Sequence, residues 1–269
     1  EVGKIGFWKD CNFVRFFNGL PERMGGYAKD NPLSSVLGIA RGSADWRSLR
    51  DELIIGMGTH LKLYVWIGGT FTDITPYRET GTLGADPFAT TSGSATVTVT
   101  DASHGLVIGD YVRFSGAPAV AGITVNGQYT VITVPGSGSY TITHSSNANA
   151  TTTGGGASVA YSYEIAVGEA DSVNALGFGV STWGGSTWGT PRATSTIVTY
   201  ARTWSCAVWG EDLLAAPRGG KLYVWDSSVG TGTRATLITQ APSTMQAMFV
   251  SQEDRHVVAL GAHDGSVSD

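Results

Sequence analysis

Ile54-Ile55-Gly56 followed by Leu63-Tyr64-Val65-Trp66 returns 159 residues later as Leu213-Leu214-Ala215 followed by Leu222-Tyr223-Val224-Trp225. Each copy is a pair of apolar, β-branched and aromatic runs about a Gly-bearing turn (Gly58 in one, Gly219-Gly220 in the other), which predicts a β-hairpin. A third start stands at Val257-Val258-Ala259-Leu260-Gly261, where Glu253-Asp254 precede it as Glu211-Asp212 precede the second copy. Leu213 to Val257 is 44 residues, the length of one four-stranded propeller blade. The first interval is longer by 115 residues, so one blade of ordinary length has taken in an insert of about that size.

Composition marks the same insert independently. Of the 17 basic residues, ten precede residue 79, and Arg113 alone lies between Arg78 and Arg192; Trp is missing from 67 to 182. A Trp- and Arg-bearing frame therefore surrounds a Thr/Ser/Gly/Val-rich segment. The expected organisation is an N-terminal strand and loop region with a first blade hairpin over 1–78, an inserted small β-domain over 79–191, and continuing blades over 192–269. The expected fold class is all-β: a partial β-propeller frame with an inserted small β-barrel or sandwich domain. Gly at 37 of 269 residues and charged residues at only 14% agree with many short strands joined by turns.

Inside the insert, strict alternation predicts strands at Ala95–Thr100, Tyr111–Phe114, Tyr129–Val134, Ser139–Thr143 and Ser158–Ile165, with turns at His104-Gly105, Gly109-Asp110, Asn126-Gly127 and Gly136-Ser137-Gly138. The Asn/Ala/Thr/Gly run 147–156 has too little apolar mass to pack and reads as a mobile surface loop. Before the frame, Asn12–Phe17 reads as a strand and Asn18–Gly26 as a tight loop. Ala44–Leu49 reads as one helical turn, with Ser43 as its cap.

The chemistry-bearing residues point away from catalysis. The five histidines (His60, His104, His144, His256, His263) have no metal-ligand spacing, Cys11 and Cys206 have no CxxC partner, and no glycine-rich phosphate loop opens a helix, so neither a metal nor a cofactor is expected. His104, in His-Gly-Leu, is expected to orient a turn by bonding a nearby carbonyl. Asp45, Asp51, Glu52, Asp73, Glu211, Asp212 and Asp226 could supply the carboxylate pair of a glycosidase, but at strand starts such groups more often cap turns or meet an arginine. The tryptophans of Ser181-Thr182-Trp183-Gly184-Gly185-Ser186-Thr187-Trp188-Gly189 lack a basic groove and read as packing or subunit contacts. A formal net charge of −5 argues against a nucleic-acid grip, and no run approaches the 18 apolar residues of a membrane span.

Val14-Arg15-Phe16-Phe17-Asn18-Gly19-Leu20-Pro21-Glu22-Arg23-Met24-Gly25-Gly26, Ala44-Asp45-Trp46-Arg47-Ser48-Leu49, Ile55-Gly56 to Leu63-Tyr64-Val65, Asp73-Ile74-Thr75-Pro76-Tyr77-Arg78, Trp209-Gly210-Glu211-Asp212-Leu213-Leu214 and Arg218-Gly219-Gly220-Lys221-Leu222-Tyr223-Val224-Trp225 occur in this order. Together they resemble tail nozzle proteins (tail tubular protein B-like) of short-tailed phages. The insert, with Ser103 to Val112 and Asn126 to Val131, resembles small β-domains that recur in phage structural proteins and are similar to a domain of ubiquitin-activating enzymes; no activity comes with that likeness. The nozzle resemblance implies a structural virion protein of the phage tail and not an enzyme. It implies a homo-oligomeric ring, usually of six copies, below a tail adaptor and beside other tail proteins. Genomic DNA would pass through its axial channel without specific binding, and assembly would take place in the host cytoplasm. Family members are longer and a propeller needs about four blades to close, so the chain is expected to be a piece of a longer protein. Arg15, Arg23, Arg41 and Arg47, with Trp183 and Trp188, are the candidate subunit-interface residues, since Arg and Trp are enriched at interfaces. The alternatives are a receptor- or glycan-binding propeller at a tail tip and, third, a glycosidase.

Overall fold

The computed structural model describes residues 14–23, 35–166, 201–251 and 253–263. The chain divides into two compact units, Glu1–Ser35 and Val36–Asp269. In the first, β1 (Val14–Phe17) and β2 (Leu20–Arg23) form an antiparallel hairpin about Asn18-Gly19, whose φ values of 51° and 78° belong to a type I′ turn. Leu20–Arg23 is therefore a strand where a loop is expected from the sequence, because the Asn-Gly pair reverses the chain in two residues and returns it directly to pairing. Asn12, Phe13 and Met24–Gly26 lie outside the described residues.

The second unit opens with a four-stranded antiparallel meander of β3 (Ala40–Arg47), β4 (Leu53–Thr59), β5 (Leu63–Ile67) and β6 (Thr70–Asp73). The helical turn expected at Ala44–Leu49 is not formed. Ser43 to Arg47 pair without interruption with Met57 to Leu53, and a continuous ladder outweighs a single capped turn, whose nucleation is costly.

The insert follows as β7 (Tyr77–Leu83), β8 (Phe88–Thr90), β9 (Thr96–Thr100), β10 (Tyr111–Ser115), β11 (Gly127–Thr130), β12 (Thr133–Gly136), β13 (Ser139–Thr143), β14 (Thr152–Gly154) and β15 (Val159–Glu164). These strands make two antiparallel sheets, ordered β11-β10-β15-β7 and β12-β13-β9-β8-β14, so the insert is a sandwich and not a closed barrel. Its core takes the inward half of each alternating strand: Val97 and Val99, Val112 and Phe114, Tyr140 and Ile142, Val159 and Tyr163. Phe88 and Phe114 meet edge to face at 5.2 Å.

Two expectations for the insert need correction. Tyr129–Val134 is not one strand: it splits between sheets, with β11 on one and β12 on the other, because Val131 turns into the core at the corner while Ile132 stays exposed. The segment 147–156, expected as a mobile loop, carries an edge strand. Thr152, Thr153 and Gly154 pair with β8, Ala148 is buried in the core, and Thr90 Oγ1 donates to the carbonyls of Ala150 and Thr152, both at 3.1 Å. Backbone pairing supplies what the side chains lack.

Beyond the insert, β16 (Trp204–Trp209), β17 (Asp212–Pro217), β18 (Tyr223–Trp225) and β19 (Thr236–Leu237) form a second four-stranded antiparallel meander, and β20 (Ala247–Val250) with β21 (Val257–Leu260) a hairpin that begins a third sheet. The first strands, β3, β16 and β20, are the parts of neighbouring sheets that approach most closely, which sets them on the inner side of a fan. One face of the first meander packs on the second through Ile54, Leu63, Val65, Trp204, Leu213, Ala215, Tyr223 and Trp225; the far face of the second packs on the third through Leu214, Ala216, Leu222, Met245 and Met248. This is a partial propeller frame.

The repeat is real, but half of it is out by one residue. Leu63 and Val65 face the next sheet, as do Leu222 and Val224, so the third strands correspond at the sequence spacing of 159. In the second strands, Gly56 pairs with Val65 but Leu214 with Val224. Ile55-Gly56-Met57, rather than Ile54-Ile55-Gly56, therefore matches Leu213-Leu214-Ala215. Both faces of the second blade are buried, so its second strand reads as an unbroken apolar run in which a slip of one residue leaves no mark. The turn between second and third strands simply holds one more residue in the second copy.

Close approach explains the glycines of β4. A methyl group on Gly56 would lie 2.6 Å from Leu213 Cδ2, and one on Gly58 would lie 2.1 Å from Trp204 Cγ. Trp204 then donates from Nε1 to the Thr59 carbonyl at 2.7 Å, whereas the buried Trp225 Nε1 has no hydrogen-bond partner among the described residues. Trp204→Phe is accordingly expected to cost about 1 kcal/mol more than Trp225→Phe, since only the first strands a bonded acceptor; urea unfolding midpoints of the two variants check this. A second tie repeats from blade to blade. Trp46 Nε1 donates to the Glu211 carbonyl (3.1 Å) and Trp209 Nε1 to the Arg255 carbonyl (2.9 Å), each carbonyl lying in the turn between the first two strands of the next sheet.

Candidate functional site: a buried charge cluster at the foot of the insert

β7 and β15, the first and last strands of the sandwich, pair with each other from Tyr77↔Glu164 to Leu83↔Val159, so the insert enters and leaves the frame at one place. Lys62, in the β4–β5 turn, rises there between Asp73 at the end of β6 and Glu164 at the end of β15. The turn is shaped by Thr59, whose Oγ1 accepts from the Lys62 amide (2.9 Å) and whose amide donates to the Lys62 carbonyl (2.7 Å). Lys62 is 1% exposed and Glu164 2%. Arg234, just before β19, completes a square of two cations and two carboxylates.

Lys62 Nζ donates to Asp73 Oδ2 at 3.2 Å and to Glu164 Oε2. Arg234 donates to Asp73 Oδ1 (3.3 Å) and Oδ2 (3.2 Å), to Glu164 Oε1 (3.0 Å) and to the Thr75 carbonyl (2.7 Å). Gln128 Nε2 adds a donor to Glu164 Oε1 at 2.9 Å, while the Thr75 amide and hydroxyl donate to Asp73 Oδ1. All four carboxylate oxygens are thus engaged. Each cation also lies on an aromatic face of the insert: Lys62 Nζ is 4.1 Å from the Tyr111 ring centroid and Arg234 Cζ is 4.5 Å from that of Tyr77. The square joins the first blade (Lys62, Asp73, Thr75), the second (Arg234) and the insert (Glu164, Gln128, Tyr77, Tyr111).

The two carboxylates are driven apart in acidity. Burial raises the pKa of Glu164, and the opposing pull of Lys62 and Arg234 does not cancel it. Burial also acts upward on Asp73, but Lys62, Thr75 and Arg234 together outweigh it and hold the pKa below the usual 3.8. A raised carboxylate pKa adds stability below the unfolded value of 4.5 and loses it as the pH climbs through the folded value; a depressed one adds stability above 3.8 and loses it as the pH falls through the folded value. The wild-type chain is therefore expected to gain stability relative to Glu164→Gln as the pH drops from 7 toward 4.5, and urea titrations at pH 7, 6 and 5 read the sign.

Sequence reasoning had Asp73 among its carboxylates and missed Lys62, Glu164 and Arg234. Lys62 and Glu164 are 102 positions apart, and Asp73 and Arg234 161, so no local spacing links them. Of the other carboxylates, Asp51 Oδ1 accepts from Arg47 (2.9 Å), Glu211 Oε1 from the Leu49 amide, Asp212 from the Ser227 amide (3.0 Å) and Asp226 from the Ser228 amide (2.8 Å). His104, buried, accepts at Nδ1 from the Leu106 amide (3.0 Å) and meets the Gly136 carbonyl at Nε2 (3.1 Å), the turn-orienting role expected of it.

Of the interface candidates, Arg15 and Arg23 fall on the β1–β2 hairpin and Arg41 and Arg47 on β3. Arg15 on β1 pairs with Glu22 at 2.8 Å and lies over the Phe17 ring at 5.9 Å. Arg23 ends β2, exposed. Arg41 sits at the irregularity in the β3–β4 ladder, half-buried and engaged within the chain. Arg47, exposed, is held by the Asp51 carboxylate and carbonyl. Trp183 and Trp188 lie outside the described residues, as does Cys11. Cys206 is a free thiol that burial pushes up to about 12. Among the described residues no helix is long and apolar enough to cross a membrane, and no three His, Cys, Asp or Glu side chains group as metal ligands would.

No protein-family model and no curated protein matches the chain. Among solved structures it is similar to one described as "Phage phi92 endosialidase", with a TM-score of 0.30 and 14% identity over 87% of this chain and 35% of that one. The chain spans about a third of the length of that structure.

Proposed function

We propose that the chain is a structural subunit of a phage tail, a nozzle protein whose copies form a ring around the axial channel through which the genome leaves. The observation that carries this reading is the use made of the buried charges. Where the described titratable groups converge most closely, every carboxylate oxygen is bound to the protein itself and the square locks a guest domain onto two blades. Such chemistry serves rigidity rather than turnover, so the chain is proposed not to be an enzyme. The described parts of the stretches that resemble nozzle proteins fall on the β1–β2 hairpin and the frame, with Tyr77 and Arg78 opening β7 of the insert, and the net charge of −5 suits a wall along which DNA must slide.

In this reading the partners are further copies of the chain, six to a ring, a tail adaptor, neighbouring tail proteins and the passing genome, and the protein is located in the virion after assembly in the host cytoplasm. Arg15, Arg23, Arg41, Arg47, Trp183 and Trp188 are proposed as contact residues within the ring. Negative-stain images of the purified protein are expected to show rings with the insert projecting outward, and fluorescence anisotropy to show no salt-sensitive binding of duplex DNA at about 150 mM salt. Monodisperse monomers together with a steep, tight isotherm would overturn the conduit.

One observation favours an adhesion module instead. An open hollow of about 500 Å³ on the insert is lined by Asn126, Gln128, Tyr129, Thr143 and His144, with the Tyr129 and His144 rings stacked at 6.3 Å. Neutral polar groups beside an aromatic shelf suit a sugar. A glycan array positive for the wild type and negative for Tyr129→Ala would move the assignment to that reading.

A further inference from the structure

The charge square holds the parts of a condensation as well as those of a joint. Lys62 Nζ touches Glu164 Oε2, and both side chains are shut away from water. In water an ammonium and a carboxylate stay separate ions because solvation stabilises both charges. Stripped of that solvation, the pair lies closer in free energy to a neutral amide and a water released to solvent.

The neighbours meet the needs of the tetrahedral intermediate that stands between acid and amide. Its oxyanion would form on Glu164 Oε1, which already faces two donors, Arg234 at 3.0 Å and Gln128 Nε2 at 2.9 Å. The attacking nitrogen must also lose a proton, and Asp73 Oδ2 lies 3.2 Å from Nζ to accept it. The Asp73 side chain is 24% exposed, so the water formed has a way out past it. The Tyr111 ring, 4.1 Å from Nζ, covers the amine from the side of the insert.

We propose that Lys62 and Glu164 condense into an isopeptide bond, an autocatalytic cross-link between the first blade and the last strand of the insert, with Asp73 as the proton shuttle and Arg234 and Gln128 as the oxyanion donors. A proton first passes from the ammonium to Oε2, leaving an amine and a carboxylic acid. Nζ then attacks Cδ, and the carbonyl electron pair moves onto Oε1. Asp73 takes a proton from the nitrogen and returns it to Oε2, which leaves as water while the carbonyl re-forms. One C–N bond is made and one C–O bond broken, with no co-reactant and no change of oxidation state. In the product the amide N–H faces Asp73, the carbonyl keeps Arg234 and Gln128, and Asp73 with Arg234 remains a balanced ion pair. Burial, which raises the Glu164 pKa, eases the first transfer, while the attraction of Lys62 and Arg234 opposes it. Condensation therefore follows folding slowly, and the ion-pair energetics of the square are those of the unlinked chain.

Intact-mass spectrometry of the purified chain tests this. During incubation at pH 7 and about 37 °C for about ten days, a species lighter by one water is expected to accumulate, driven by the fixed proximity of amine and acid. Tandem spectra of a chymotryptic digest should join the Lys62 and Glu164 peptides in one cross-linked pair. A denaturing gel should show a faster band, since the bond closes a loop between residues 102 positions apart. Lys62→Arg, which keeps the cation but has no amine to acylate, should retain its full mass. Asp73→Asn, checked for folding by circular dichroism, should slow the loss of water at least about tenfold. Full mass throughout in the folded wild-type chain would overturn the proposal. The same loss of water in Lys62→Arg would assign it to a succinimide at Asp264-Gly265 and overturn it as well. Linkage at the wild-type rate in Asp73→Asn would overturn the shuttle.

Discussion

Lys62→Ala is expected to lower the unfolding free energy by about 3–5 kcal/mol, the usual consequence of leaving a buried charge without its partner. Glu164 would keep its place under the sandwich with one cation removed, and Asp73 would face it with Arg234 alone between them. For a domain whose whole stability is about 5–15 kcal/mol, the loss is a large fraction. Lys62→Met, which keeps the aliphatic stem over Tyr111, should lose nearly as much, whereas the double variant Lys62→Met, Glu164→Gln should recover to within about 2 kcal/mol of wild type because a cation and an anion leave together. Urea unfolding gives the free energies, and hydrogen exchange along β15 shows whether the insert loosens before the blades. Wild-type stability in Lys62→Ala would mean that the square is not the joint.

Gly58→Ala is expected to cost about 3 kcal/mol, the upper part of the range for overpacking, since the added methyl falls on the Trp204 ring. The indole has little room to yield: its Nε1 is tied to the Thr59 carbonyl and its ring is packed between the blades. The loss should be coupled to the ring. In a double-mutant cycle with Trp204→Leu, the combined cost should fall at least about 1 kcal/mol below the sum of the single costs. Strict additivity would show that the methyl is accommodated elsewhere.

The all-β class, the existence of successive blades and the presence of a guest domain were legible because each leaves a local signal. Val97 and Val99 alternate with Thr96, Thr98 and Thr100; Leu-Tyr-Val-Trp recurs; between residues 79 and 182 Trp is missing and Arg113 is the one basic residue. Register was not legible. Between Leu213 and Ala216 both faces of the strand are buried, so apolar character does not alternate and the one-residue difference between copies is hidden. Backbone pairing was also invisible where side chains are poor, which is why 152–154 did not read as a strand. The charge square lay furthest from view. Lys62 in a turn and Glu164 at the end of an alternating strand look like ordinary solvated residues, and only the pairing of β7 with β15 brings Glu164 over the first blade.

That same pairing has a consequence for how such a chain could change over time. A passenger whose two ends stand side by side asks nothing of its host except a narrow doorway, here the rung between Tyr77 and Glu164. It could be exchanged for an unrelated passenger of any length, provided the newcomer returns to the threshold and leaves an acid there for Lys62 and Arg234 to grip. Lineages could thus vary what they display while the frame beneath keeps its gauge.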